Sequence, residues 1–287
     1  MDELQAITDK YSPDYIGNQL ESLPSLNRFA LSFYKDVSEI YDCLTRVRNI
    51  ERNPSGFGLQ DAPILGLLVR IAKLLKEILV YYERNNAEII SILERPLLES
   101  SIIATYLLRS TPEVITDYRK CSYKDRLRVL RNFESGSSFI STRPGQRLLR
   151  SVREKMQFEG LTPQDFTEQR RNRWKIQGKT FYEIFGEVEN AEFYAPSYGM
   201  MSESIHGSWN DSMDWCLARN SDGTFSAFLL SYPADIRFVT PTLRFTNTPF
   251  RLWLERIDAY DVNLQNVLDW IERINGVLFA KFDALFD

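Results

Sequence analysis

APILGLLVRIAKLLKEILVYYERNNAEIISILERPLLESSIIATYLL, residues 62–108, is the stretch on which the reading of the fold rests. In its first half Ile64, Leu67, Leu68, Ile71, Leu74, Leu75, Ile78, Leu79 and Tyr82 recur every three or four positions, the spacing of one face of an α-helix. Asp61 stands where an N-cap would, and Pro63 falls in the first turn, where a missing N–H breaks no helical bond. The second half repeats the pattern with Ile89, Ile90, Leu93, Leu97, Leu98, Ile102, Ile103, Tyr106 and Leu107. Pro96 in its middle removes one backbone donor, so a kink or a restart is expected there. Arg70, Lys73, Lys76 and Glu77 interrupt the most apolar tract, Ala62–Tyr82, too often for a segment crossing about 30 Å of hydrocarbon. A buried helix is expected, with no membrane span.

Outward from this pair the chain continues to read as helix. Leu26, Phe29, Ala30, Phe33, Val37, Ile40, Tyr41, Leu44, Val47 and Ile50 form one helical face from Ser25 to about Glu51, and NPSGFG at 53–58 breaks it. Thr111-Pro112-Glu113 opens another helix through Leu130. ESGSSFISTRPG at 134–145 has the composition of an exposed, mobile loop. Further helix starts fall at Thr162-Pro163-Asp165 and near Pro196, the latter helix carrying Tyr198 to Leu217. RNSDGTFSAFLLSYPADIRFV then changes character, and its Ser-Asp-Gly turn signal suggests a small β-hairpin within 219–240. Two last helices are expected at Pro249–Tyr260 and Val262–Phe286. The sum is an all-α multi-helix bundle in three parts: an N-terminal helical segment at 1–60, a helical core at 61–217 with a basic insertion at about 120–179, and the hairpin with C-terminal helices at 218–287.

Composition removes several classes of function. The 287 residues are 44% hydrophobic and 26% charged, which fits a folded chain and not a disordered one. Cys43, Cys121 and Cys216 are widely spaced and odd in number, so a disulfide framework is excluded and a reducing compartment expected. The opening MDELQAITDKYSPDY is acidic where a secretory signal would be basic and then apolar, which points to the cytoplasm. A single histidine cannot supply the two or three imidazoles of many zinc hydrolases within one subunit. No phosphate-binding G-x-x-x-x-G-K-[ST] loop occurs, and no Gly-x-Ser-x-Gly elbow marks a serine hydrolase. Glu88, Glu99, Glu203, Asp211 and Asp214 are candidate carboxylate ligands, but one His falls short of the usual di-iron set, so neither metal nor cofactor is assigned.

The net charge of −4 hides an asymmetry. Residues 120–179 hold 15 Lys or Arg against 6 Asp or Glu, for +9, and the rest of the chain sums to −13. Arg143, Arg147, Arg150, Arg170, Arg171, Arg173 and Lys175, with Trp174 among them, have the chemistry that neutralises phosphates and stacks on unpaired bases. The same pattern also suits a solvated helical face paired with the acidic remainder.

Two constellations could carry chemistry. Arg84, Glu88, Arg95 and Glu99, spaced four, seven and four apart, lie along one side of a helix, with Glu94 one position off that line. As exposed ion pairs they would contribute roughly 0.2 to 0.5 kcal/mol each. Tyr198, Ser202 and His206, four apart in YGMMSESIHGSWND, place a phenol, a hydroxyl and an imidazole on one helical face. His206 is the natural general acid or base, and Ser202 could orient its ring. A half-buried histidine bonded between two helices is the structural alternative.

Arg-Pro-x-x-Glu at Arg95, Pro96 and Glu99, with Tyr-x-x-x-Ser-x-x-x-His-Gly at Tyr198, Ser202, His206 and Gly207, resembles a bacterial family catalogued only as a domain of unknown function, over about Leu67–Leu217 plus a helical tail. That family is similar, more loosely, to helical abortive-infection and HEPN-type proteins, many of them metal-independent ribonucleases of phage defence or toxin systems. The resemblance implies a HEPN-like core, RNA as a partner, and a homodimer. The HEPN signature puts an Arg five to seven positions before the His; here Met201, Met200 and Gly199 stand there. The signature is therefore absent, and ribonuclease chemistry would require the cation from the other helix, with Arg95 packed beside His206, Arg95 stabilising charge on phosphate and Glu99 fixing the Arg or polarising the His. Two other readings stay open: a non-catalytic sensor or scaffold that binds a partner protein, and a receptor for a small phosphorylated ligand.

Overall fold

Hydroxyl side chains and prolines start many of the helices. Helices α1 (Asp2–Asp9) and α2 (Pro13–Gln19) precede α3 (Leu23–Leu44), where Ser22 and Ser25 form a reciprocal capping box. The computed structural model describes residues 2–162, 165, 174–259 and 261–286. Next come α4 (Ala62–Glu83) and α5 (Ala87–Leu108), joined by a tight turn in which Asn85 adopts φ +53° and Asn86 caps α5 by accepting the Ile89 N–H. After them follow α6 (Pro112–Cys121), α7 (Lys124–Glu134), a 3₁₀ turn at Ser138–Ser141, α8 (Arg143–Phe158) and α9 (Phe181–Val188). The chain ends with α10 (Met200–His206), α11 (Trp209–Trp215), strands β1 (Leu217–Arg219) and β2 (Phe225–Ala227), α12 (Thr240–Arg256) and α13 (Val262–Phe286). The protein is thus mainly helical, a multi-helix bundle whose described residues include a two-stranded hairpin, as its periodicity implies. Among the described residues no helix is long and apolar enough to cross a membrane.

Two compact units emerge. One is built from residues up to Arg109 and from Phe185 onward; the other spans Ser110–Ile184. In the first unit α4 packs on α5 and α3, while α12 lies against α5 and α13. Ile64, Leu68, Ile71, Leu75 and Ile78 of α4 are fully buried, as are Phe33, Tyr34, Tyr41, Phe250 and Trp253, each worth about 1.5 to 3 kcal/mol of transfer free energy. A polar ladder runs through this core. Tyr34 Oη lies 2.6 Å from Thr240 Oγ1. Tyr41 Oη donates to Asn247 Oδ1 at 3.3 Å, and Asn247 Nδ2 donates to the Leu268 carbonyl at 2.9 Å and Glu272 Oε1 at 2.7 Å. The Tyr41 ring stacks on Phe250 with centroids 4.3 Å apart. These bonds fix the rotation of α3, α12 and α13 about their axes, which apolar contacts alone leave loosely specified.

The second unit has its own core of Tyr123, Leu127, Leu130, Leu149, Val152 and Met156. Glu159 holds it together: Arg119 donates from Nε and Nη2 at 2.8 and 2.6 Å, and Tyr123 Oη donates at 3.1 Å. Gly145 fits because a Cβ there would lie 2.0 Å from the Phe139 carbonyl oxygen.

Several boundaries differ from the sequence reading. α3 stops at Leu44, short of Glu51, and α6 and α7 replace one long helix. The stretch 134–145 contains a 3₁₀ turn and the start of α8, because Ser137 and Thr142 cap both. α12 begins at Thr240, not Pro249: Pro241 occupies its first turn and Pro249 lies inside it. Helix α9 has no counterpart in the periodicity. The hairpin starts two residues before its expected range of 219–240, with Leu217, Ala218 and Arg219 opposite Ala227, Ser226 and Phe225. A helix start at Thr162-Pro163-Asp165 runs into residues outside the described set, as does Tyr260.

Asn247→Ala leaves the Tyr41 hydroxyl and the Leu268 carbonyl without that partner, and should lower unfolding free energy by about 2 to 3 kcal/mol in urea titration. Gly145→Ala should weaken hydrogen-exchange protection of α8 while leaving that of α4 and α5 unchanged.

Candidate functional site

Arg95 and Glu99 stand one turn apart on α5, which continues through Pro96 without a restart. Pro96 has no N–H for the Ile92 carbonyl, and Ser100 Oγ caps the Pro96 carbonyl at 2.6 Å. Opposite them the chain is not a simple helix. Ala195–Gly199 forms a π-turn, closed by the Gly199 N–H donating to the Tyr194 carbonyl at 2.9 Å, and α10 follows directly. Such turns take one residue more than an α-turn and often mark functional sites. Tyr198 is buried in this turn, its ring 5.3 Å from that of Tyr194, which meets Phe185 edge-on at 5.4 Å.

The Arg95 guanidinium lies over the Tyr198 ring, its carbon 4.6 Å from the centroid. Nη2 donates to Tyr198 Oη at 2.9 Å, and Nη1 lies 3.3 Å from His206 Nε2. With Arg95 as donor, Nε2 offers its lone pair and the ring proton sits on Nδ1. Tyr198 Oη donates to Glu99 Oε2 at 3.3 Å. Burial, and then the Glu99 carboxylate, push the Tyr198 phenol above its ordinary ionisation range, so it remains a donor at neutral pH. His206 is exposed, Arg95 and Glu99 are half-buried, and the guanidinium and carboxylate balance in charge with an accessible imidazole at their rim.

The structure therefore brings Arg95, Glu99, Tyr198 and His206 together. Glu99 reaches Arg95 through the Tyr198 hydroxyl, and among the described residues it pairs directly with neither Arg95 nor His206. Ser202 takes another role: its Oγ donates to the Tyr198 carbonyl at 2.7 Å, which ties α10 to the π-turn. No ion pair joins Arg84, Glu88, Arg95 and Glu99 among the described residues, so the expected ladder does not form. Glu88, Glu99, Glu203, Asp211 and Asp214 do not converge either; no group of three or more His, Cys, Asp or Glu suited to a metal ion occurs among the described residues.

The basic side chains lie in the Ser110–Ile184 unit. Arg143, Arg147 and Arg150 are exposed along α8, whose other face buries Leu149, Val152 and Met156. Among the described residues none of these three arginines has an ion-pair partner. Trp174 is half-buried and Lys175 exposed. Arg170, Arg171 and Arg173 lie outside the described residues.

Glu94 is the group that periodicity leaves aside. It is buried, with no hydrogen-bond or ion-pair partner among the described residues, and burial pushes its carboxyl up to about 8. The signal was available in its setting between Leu93, Leu97 and Leu98, where a carboxylate cannot be solvated.

Residues 61–224 match the model of a family described as a family of unknown function (DUF5677). No curated protein and no solved structure matches the chain.

At pH 7 Glu94 is mostly protonated in the folded chain and ionised in the unfolded one. The native state binds the extra proton, so stability should fall as pH rises from about 4.5 toward 8, by up to about 1.4 kcal/mol per pH unit. Glu94→Gln should flatten that slope in denaturant titrations at pH 5, 6.5 and 8.

Proposed function

The chain belongs to the DUF5677 family, whose description carries no activity, and from its site we propose a HEPN-like helical protein that cleaves RNA without a metal. The observation that carries this reading is the Arg95 guanidinium, held 3.3 Å from His206 Nε2 and 2.9 Å from Tyr198 Oη beside an exposed imidazole. Arg95 supplies the cation that the HEPN-type signature would place at Gly199–Met201.

In this reading His206 removes the proton of a ribose 2′-hydroxyl. The 2′-oxygen attacks the adjacent phosphorus, the bond to the 5′-oxygen breaks, and the leaving oxygen takes the proton back from His206. The products are a 2′,3′-cyclic phosphate and a 5′-hydroxyl, with no water consumed. An incoming phosphate draws the Arg95 N–H away from Nε2, which frees the lone pair as the reaction needs it and places the guanidinium on the charge that develops. Tyr198 and Glu99 hold the guanidinium in place. The exposed arginines of α8 contribute phosphate affinity, which makes binding salt-dependent. Membership of a phage-defence or toxin system, a cytoplasmic setting and a homodimer belong to this proposal through the resemblance to HEPN-type proteins.

A second reading rests on the burial of Tyr198. A cation clamped between a buried phenol and a second helix is also how a non-catalytic sensor or scaffold would fix α10 on α5 for a partner protein or a small phosphorylated ligand.

His206→Ala separates the two. Because His206 is exposed, unfolding free energy should change by less than about 1 kcal/mol, while cleavage of a single-stranded RNA should drop at least about 100-fold. RNA cleavage equal to that of the wild type would refute a catalytic imidazole.

A further inference from the structure

His206 ends α10, Gly207 takes the left-handed conformation at φ +58°, and Ser208 caps α11 by accepting the Asp211 N–H at 3.1 Å. Trp209 is the first residue of that new helix. Chain length alone keeps its Cα within about 11 Å of that of His206. Its indole is 59% exposed, a large apolar surface to leave in water. It meets Phe225 of β2 edge-to-face with centroids 5.7 Å apart, and Phe225 is 43% exposed.

The hairpin register puts Arg219 directly opposite Phe225. Side chains so paired share one face of a sheet, about 4.5 to 5.5 Å apart at Cβ. Arg219 is exposed and has no ion-pair partner among the described residues. Two open aromatic rings and a free guanidinium, the first ring three residues after the exposed His206, form a set that single-stranded nucleic acid engages through its bases and its backbone.

We propose that Trp209, Phe225 and Arg219 form a base-stacking subsite that seats an unpaired nucleobase and its phosphate next to the bond presented to His206. The inference rests on the RNA-cleaving reading and narrows its substrate to single strands. In a duplex the base faces are already covered by their neighbours, and the indole has nothing to stack on.

The test measures binding of an eight-nucleotide 2′-O-methyl oligoadenylate, which lacks the attacking hydroxyl, to the full chain. Stacking on one base corresponds to roughly 5- to 150-fold in affinity, so Trp209→Ala should weaken binding by about that much. Trp209→Phe should retain most of it. Arg219→Gln should lower the slope of log affinity against log salt by about one. A ribose-phosphate chain without bases should bind wild type and Trp209→Ala alike, and a duplex of the same length should be insensitive to the substitution. Should Trp209→Ala lose its helical circular dichroism, Phe225→Ala on the hairpin carries the same expectation. If wild type binds the oligonucleotide and all the aromatic variants match it, or if Trp209→Phe is as weak as Trp209→Ala, the stacking subsite is refuted while RNA cleavage stands. If wild type neither binds this oligonucleotide nor cleaves its unmodified counterpart, both proposals fall.

Discussion

A half-buried guanidinium must have its N–H groups satisfied, and Arg95 meets that need with two partners that arrive 103 and 111 residues later in the chain. The Tyr198 phenol and the His206 imidazole share it, and the aromatic ring beneath it supplies a further electrostatic attraction. Around this group the local backbone departs from ideal helix on both sides. α5 gives up one backbone bond at Pro96, and the facing chain widens into a π-turn at Ala195–Gly199. Each departure carries a residue of the cluster or lies next to one, the usual place for conformational cost to persist.

The same economy of polar groups holds the bundle together. Tyr34, Tyr41, Thr240, Thr246 and Asn247 are buried residues that hydrogen-bond to one another across helices in a mostly apolar core. Glu94 departs from this pattern, as do Ser38 Oγ, Trp253 Nε1 and Trp270 Nε1, which are buried with no hydrogen-bond partner among the described residues; Glu94 is the one that titrates. It enters the interior with no partner and resolves the conflict by keeping its proton. In the Ser110–Ile184 unit, Arg143, Arg147 and Arg150 stay exposed outside a small separate core, while the largely buried Arg119 is neutralised by Glu159.

How much of this could be read from residues alone depended on whether the signal was local. The stripes of α4, α5 and α13 were legible because burial on one face imposes a three-to-four repeat, and α13 begins and ends where that repeat does. The start of α12 was not, since Pro249 mimics a first-turn proline while its own position is interior. The break at Gly207 was hidden for a similar reason: a glycine in a helical pattern is tolerated, and only its positive φ ends the helix here. Within the site, the meeting of Arg95 with His206 followed from chemistry that needs a cation beside the imidazole. The mediating position of the Tyr198 hydroxyl did not, because it depends on one extra residue in a turn, which no periodicity records. Ser202, equally placed on paper, serves the backbone instead.

The order of the chain has a temporal meaning. Arg95 leaves the ribosome 111 residues ahead of His206, and at about 5 to 20 residues per second that gap lasts roughly 6 to 22 s. Throughout that interval the nascent polypeptide carries the cation without the imidazole. The contact between Arg95 and His206 therefore cannot form until α10 has emerged, more than a hundred residues after the guanidinium that it completes.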